Sequence, residues 1–193
     1  MIVLAGASAS GKTEVAKLLA KKYHITKVIT TTTRSKRIGE EDGKDYFFVS
    51  KDKFQEKIKN NDFVEYTTFN GNFYGSTKDQ IASNKCVVID PAGLKSYIAL
   101  NDKKIVTFFL EANEDVRYKR MLLRGDKLED ANQRIVHDRT AFKKEHIAKV
   151  DYTINSEIKS IEEIADDIYR LYLKELNKRK INWCQFLYKH LLK

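Results

Sequence analysis

The apolar run Ile2-Val3-Leu4-Ala5, followed at once by Gly6-Ala7-Ser8-Ala9-Ser10-Gly11-Lys12-Thr13, constrains this chain more than any other feature. The second string fits G-x-x-x-x-G-K-[ST]. Its glycines let the backbone curl so that several N–H groups point inward at one phosphate. From Lys12 to Tyr23 the apolar residues Val15, Ala16, Leu18 and Leu19 fall at helical spacing. The positive end of that helix adds to the anion cradle. Lys12 is expected to reach the β- and γ-phosphates and the Thr13 hydroxyl to ligate Mg²⁺. A bound nucleoside triphosphate is implied, with Gly6, Ala7, Ser8, Ala9, Ser10, Gly11, Lys12 and Thr13 as its contacts. The acceptor is not implied. A switch ATPase, a nucleic-acid motor and a small-molecule kinase all remain open on this motif.

The rest of the chain alternates strand and helix signals. Cys86-Val87-Val88-Ile89 and Ile105 to Leu110 read as buried strands, and Tyr152-Thr153-Ile154 as a last short one. Residues 26–50, rich in Thr, Val and Tyr with turns at Gly39 and Gly43, read as short strands. Asp52 to Asn60 reads as helix and Phe63 to Tyr74 as strand and turn. Residues 114–123 and about 129–147 read as two charged helices around Arg124-Gly125-Asp126. Ser160-Ile161-Glu162-Glu163 has capping-box form and opens a helix with Ile161, Ile164, Ile168 and Leu171 on one face. This alternation predicts an α/β fold with a mainly parallel sheet. Ligands of such sheets sit beyond the carboxyl ends of the strands, where the turns after Ala5 and Ile89 both lie.

Composition narrows the partners. With 36 Lys+Arg against 27 Asp+Glu, the net charge of +9 suits polyanions: nucleic acid, an acidic membrane surface or phosphorylated small molecules. Much of the excess lies in the last residues, where Lys174, Lys178, Arg179, Lys180, Lys189 and Lys193 face only Glu175. No apolar stretch is long enough for a membrane span. No secretory signal is read at Met1, so a cytoplasmic address is expected. Cys86 and Cys184 have neither disulfide-framework nor metal-site spacing and read as buried, inert thiols.

The acceptor side is carried by Thr30-Thr31-Thr32-Thr33-Arg34-Ser35-Lys36-Arg37-Ile38-Gly39-Glu40-Glu41-Asp42-Gly43-Lys44-Asp45-Tyr46-Phe47-Phe48-Val49-Ser50. It continues in Phe63-Val64-Glu65-Tyr66 and Gly71-Asn72-Phe73-Tyr74-Gly75-Ser76-Thr77, then Asp90, Arg120-x-x-x-Arg124-Gly125, Arg134, Asp151-Tyr152 and Asn155. Over roughly residues 1–175 this pattern resembles the guanylate kinase family, enzymes that phosphorylate GMP. The resemblance implies an α/β phosphate-loop NTPase fold: a parallel sheet core flanked by helices, with an inserted GMP-binding region and a lid. It divides a single domain of residues 1–193 into a core (1–29, 78–111 and 146–180), a GMP-binding region (30–77), a lid (112–145) and a basic amphipathic segment (181–193).

By the same resemblance, Thr30, Arg34, Arg37, Tyr46 and Tyr74 hold the GMP phosphate, and Glu65, Ser76 and Asp90 read the base. Two guanidinium forks and two phenols suit a dianionic monophosphate. A carboxylate can accept from guanine N1–H and N2–H while a hydroxyl donates to O6; adenine would leave Glu65 desolvated and unpaired. Lys12, Arg34, Arg120, Arg124 and Arg134 are the expected catalytic groups, Thr13 and Asp90 the metal ligands, and Asn155 a further ATP contact. Arg120 and Arg124 are i,i+4 and share a helix face. Arg139, roughly 140° round an ideal helix from Arg134, is read as a further lid candidate or as a partner of Asp138 or Glu145.

The chain departs from the family where Val88 replaces one carboxylate of D-x-D-x-x-G, and where Glu111-Ala112-Asn113 stands for P-P-S. The implied partners are ATP with Mg²⁺ and GMP or dGMP. A monomer or homodimer is expected; nucleic acid and membrane are not. Competing readings are a non-catalytic guanylate-kinase-like module that holds phosphopeptides, a kinase of another small phosphorylated acceptor, and a basic nucleic-acid-binding ATPase. Survival of Gly6, Gly11, Lys12 and Thr13 argues against the first.

Overall fold

The computed structural model describes residues 1–180 of the 193. The basic segment 181–193, with Cys184, lies outside the described residues. At the centre is strand β1 (Ile2–Ala5), every residue of which is buried. Both its faces are covered, which is why its sequence is a continuous apolar run and not an alternating one. Ile2 and Leu4 face helices α1 (Lys12–Tyr23) and α6 (Ile161–Lys178), packing with Val15, Leu19, Ile164, Ile168 and Tyr172. Val3 and Ala5 face the opposite layer, where helix α3 (Pro91–Ala99) contributes Leu94 and Tyr97.

Beside β1 run β7 (Lys85–Ile89) and β8 (Val106–Glu111), both parallel to it. Strands β2 (Thr26–Lys27) and β9 (Tyr152–Asn155) close the edges in the order β2-β7-β1-β8-β9. Every pairing is parallel, so the expected α/β core is the observed one. The register sets Ala5 opposite Ile89, so the turns leaving both strands meet at one carboxyl edge.

A second sheet has the order β4-β3-β6-β5, from β3 (Thr31–Thr32), β4 (Phe47–Phe48), β5 (Phe63–Phe69) and β6 (Asn72–Thr77). Helix α2 (Lys51–Lys59) starts at Ser50, whose hydroxyl accepts from the Lys53 amide. Its buried Phe54 stacks on Phe63 and Phe73, which fastens the helix to the sheet. Helices α4 (Glu114–Leu123) and α5 (Leu128–Ala141) form the charged pair. The expected capping box is present at Ser160, where the side chains of Ser160 and Glu163 satisfy each other's backbone amides.

One expectation changes, and one helix is added. Helix α5 ends at Ala141, short of residue 147, because Phe142 leaves the helical region and its ring packs against Phe109 of β8. A 3₁₀ turn over Lys144–His146 follows. Helix α3 carries only one short apolar repeat, Leu94, Tyr97 and Ile98, which does not announce it. Its signal is the start Asp90-Pro91: Asp90 accepts the Gly93 amide at 2.8 Å and proline takes the first helical position. Among the described residues no helix is long and apolar enough to cross a membrane.

Candidate active site

The turn between β1 and α1 shows why its residues are small. Gly6 has φ +149°, and a Cβ there would stand 2.5 Å from the Leu110 carbonyl oxygen of β8. Gly11, at the helix start, has φ +97°. Both positions exclude a side chain. Ala9 adopts φ +58° without being glycine, a strained conformation of the kind that concentrates at ligand-binding loops.

Lys12 turns back over this loop. Its Nζ donates to the carbonyls of Gly6 at 2.6 Å and Ala7 at 2.7 Å, and to Ser10 Oγ at 3.4 Å. Burial disfavours the ammonium and pulls its pKa down to about 8; the Asp138 carboxylate opposes that shift and Arg117 adds to it.

Arg117 escaped sequence reasoning, and Asp138 entered it only as a possible partner of Arg139. Asp138 of α5 is 4% exposed and accepts the Ser8 amide at 2.8 Å and the Ser8 hydroxyl at 3.2 Å. Arg117 of α4, also buried, donates to the same carboxylate at 2.8 Å and to the Ser8 carbonyl at 3.3 Å. An ion pair between α4 and α5 thus grips the third residue of the phosphate loop. No local pattern announces a contact across 130 residues. The only signals were a charged pair at unremarkable helical positions.

The arginines expected in the lid are dispersed. Arg120 donates to the Ser156 carbonyl at 2.5 Å and the Ala9 carbonyl at 3.4 Å, beside the loop. Arg124 pairs with Asp126, and Arg134 reaches the same carboxylate at 3.5 Å from an exposed position. Arg120 and Arg124 line a cavity of about 420 Å³ with Gly11, Lys12 and Thr13; Arg134 does not. Arg139 pairs with neither Asp138 nor Glu145 but with Glu114 of α4, through two of its nitrogens. Asn155 lies at the end of β9 and accepts the Glu157 amide at 2.8 Å.

On the acceptor side, strands β5 and β6 place Glu65 directly opposite Ser76. Burial pushes the Glu65 carboxyl pKa up, the Ser76 hydroxyl and amide oppose this, and the nearby Asp90 charge adds to it. Glu65, Ser76, Asp90 and Thr30 share one cleft of about 830 Å³ with Gly6, Ser8, Lys12 and Asp138. A second, shallower hollow is lined by Arg34, Arg37, Tyr46 and Tyr74. Thr67 borders both, so the two adjoin. The Arg34 guanidinium lies 5.3 Å from the Tyr46 ring centre and bonds Glu40 at 2.7 Å. Arg37 is exposed, and its backbone amide donates to the other Glu40 oxygen.

A phosphate loop on the central strand of a parallel sheet, a side sheet walling the same cleft and a helical pair tied down over the loop define a phosphate-loop kinase of the nucleoside-monophosphate type. A family model for guanylate kinase matches residues 1–174. The chain is 36% identical over 188 residues to a guanylate kinase of Wolinella succinogenes, covering 91% of this chain and 85% of that one. It is 33% identical over 190 residues to one of Wolbachia pipientis wMel, covering 93% and 94%. A crystal structure of guanylate kinase from Anaplasma phagocytophilum aligns with TM-score 0.56 at 26% identity, over 99% of this chain and 94% of that one. The chain belongs to the guanylate kinase family.

Proposed function

We propose that this protein transfers the terminal phosphoryl group of ATP to GMP, and to dGMP, with Mg²⁺. The observation that supports this most is the shared cleft, which has Gly6, Ser8 and Lys12 on the phosphate-loop side and Glu65, Ser76 and Asp90 on the other. Ionised Glu65 accepts guanine N1–H and N2–H, and Ser76 donates to O6. An adenine offers an acceptor at N1 and leaves that carboxylate without partners, which costs more than a missing contact. Arg34, Arg37, Tyr46 and Tyr74 hold the monophosphate in the adjoining hollow.

The attacking phosphate oxygen is already ionised at neutral pH, so the protein needs no strong general base. Its task is alignment of two anions and neutralisation of the charge on the transferred group. Lys12 does this from the loop, and Arg120 and Arg124 from the rim of the donor cavity. Arg134 joins them by giving up Asp126 as the lid closes. Thr13 and Asp90 are the oxygen donors suited to Mg²⁺: both are exposed, and the Asp90 oxygen that does not cap α3 makes no hydrogen bond among the described residues. The ion supplies charge neutralisation on the triphosphate.

The test is a coupled assay of ADP formation with ATP and, in turn, GMP, dGMP, AMP, CMP and UMP. Turnover confined to GMP and dGMP supports the proposal. Comparable turnover of AMP sinks it.

A further inference from the structure

Helix α3 lies behind the cleft wall. Its Tyr97 is buried in the same cluster as Val64, the neighbour of Glu65 on β5, and is 1% exposed. Its phenol oxygen has no hydrogen-bond partner, the only buried side-chain N or O among the described residues in that position. An unpaired buried hydroxyl destabilises a fold, and a phenylalanine ring would fill the same space without that cost. Native interiors rarely keep such a group unless another state uses it.

The polar groups that act on this phenol are the Ser76 hydroxyl and the Glu65 carboxylate. Ser76 acts on it as a hydrogen-bonding neighbour that falls short of full hydrogen-bond geometry, and Glu65 acts through its charge. Burial holds the phenol pKa up at about 12, so it keeps its proton as a donor throughout the physiological range. In the ligand-free state the Ser76 hydroxyl serves Glu65, stabilising its ionised form. A bound guanine occupies that carboxylate with N1–H and N2–H. The Ser76 proton is then released from Glu65 and can turn to O6, while the serine oxygen keeps two lone pairs able to accept from the phenol.

We propose that Tyr97 is a positioning residue for base selection: with guanine bound, its phenol donates to Ser76 Oγ, which fixes Ser76 as the donor to guanine O6. The resulting chain runs Tyr97 O–H to Ser76 O–H to the base, each bond polarising the next. A serine locked as donor meets the O6 acceptor of guanine and opposes the N6 donor of adenine. The proposal rests on the reading of Glu65 and Ser76 as the base-recognising pair.

The test is Tyr97→Phe in the full chain, alone and combined with Ser76→Ala. The single variant is expected to raise the KM for GMP about five- to tenfold, the worth of one neutral hydrogen bond. The KM for ATP and kcat at saturating GMP should stay near the parent values. The melting temperature without ligand should be equal or higher, while the rise on adding GMP shrinks. In the Ser76→Ala background, Tyr97→Phe should add no further loss. An unchanged GMP KM, a lowered melting temperature with no KM effect, or losses that simply add in the double variant would overturn the role of Tyr97. Failure of the parent protein to turn over GMP would instead sink the base-recognition reading itself.

Discussion

In the phosphate loop, Lys12 rests on the carbonyls of Gly6 and Ala7, groups a few residues away in its own turn. Across the cleft Arg34 is held by a carboxylate, Glu40, and by the faces of Tyr46 and Phe48. Neutral carbonyls release an ammonium to an arriving phosphate without leaving a bare charge behind. A guanidinium paired with a carboxylate keeps that anion beside whatever it binds next. The donor half is therefore pre-shaped by backbone, and the acceptor half by side-chain charge on a separate sheet. The phosphate loop is also clamped from above, since Arg117 and Asp138 tie both α4 and α5 to Ser8.

That clamp gives the largest expected effect. Asp138→Ala leaves Arg117 buried and unpaired and frees the Ser8 amide, which should cost about 3–5 kcal/mol of folding stability. The more exposed Arg124–Asp126 pair offers the contrast: Asp126→Ala should cost far less. Denaturant titration of the two variants settles the comparison, and equal losses would mean that the buried pair is no clamp.

Next in size is Lys12→Met. Removing one preorganised cation from the transferred phosphoryl group should lower kcat on the order of 10²–10³-fold. The melting temperature should hold, because burial already disfavours the ammonium it removes. Turnover within tenfold of the parent would break the view of the loop as the electrostatic centre of the site.

The same asymmetry explains what could be read before the structure. The loop is a contiguous string whose meaning lies in backbone curvature, so Gly6, Gly11 and Lys12 announce it by spacing alone. The parallel core was equally legible, because strands buried on both faces must be apolar throughout, as Ile2–Ala5 is. Glu65 and Ser76 needed the longer pattern, since a single carboxylate on a strand reads the same on any solvated edge. Helix α3 hid because its apolar repeat, Leu94, Tyr97 and Ile98, spans a single turn, and its start is marked only by the Asp90-Pro91 cap. Arg117, Asp138 and Tyr97 were illegible for a different reason. Each has an ordinary residue type at an ordinary helical position, and only tertiary packing gives it a partner or withholds one.

Glu65→Gln sharpens the acceptor side. The amide offers one acceptor and one unwanted donor to guanine, so kcat/KM for GMP should fall about 10²-fold or more while the KM for ATP barely moves. A parallel loss of ATP affinity would detach Glu65 from base recognition.

The smallest expected effect is one of pH, and it too belongs to Glu65. Its folded-state pKa is raised, chiefly by burial, so the folded protein holds that proton more tightly than the unfolded chain does. Stability from this group is full below the unfolded value, near 4.5. It is lost as pH climbs through the raised folded value, and at neutral pH the ionised carboxylate is a net cost. The Gln variant should consequently be at least as heat-stable as the parent at pH 7, with that advantage gone near pH 4. If Glu65 reads the base as proposed, guanine binding runs the other way, because it needs the ionised form. The KM for GMP should rise as pH falls into the window just above the ordinary glutamate range, while the KM for ATP stays level there. A KM for GMP that is flat across that window would show that Glu65 recognises the base without its charge, and the two walls of the cleft would then differ less than their chemistry suggests.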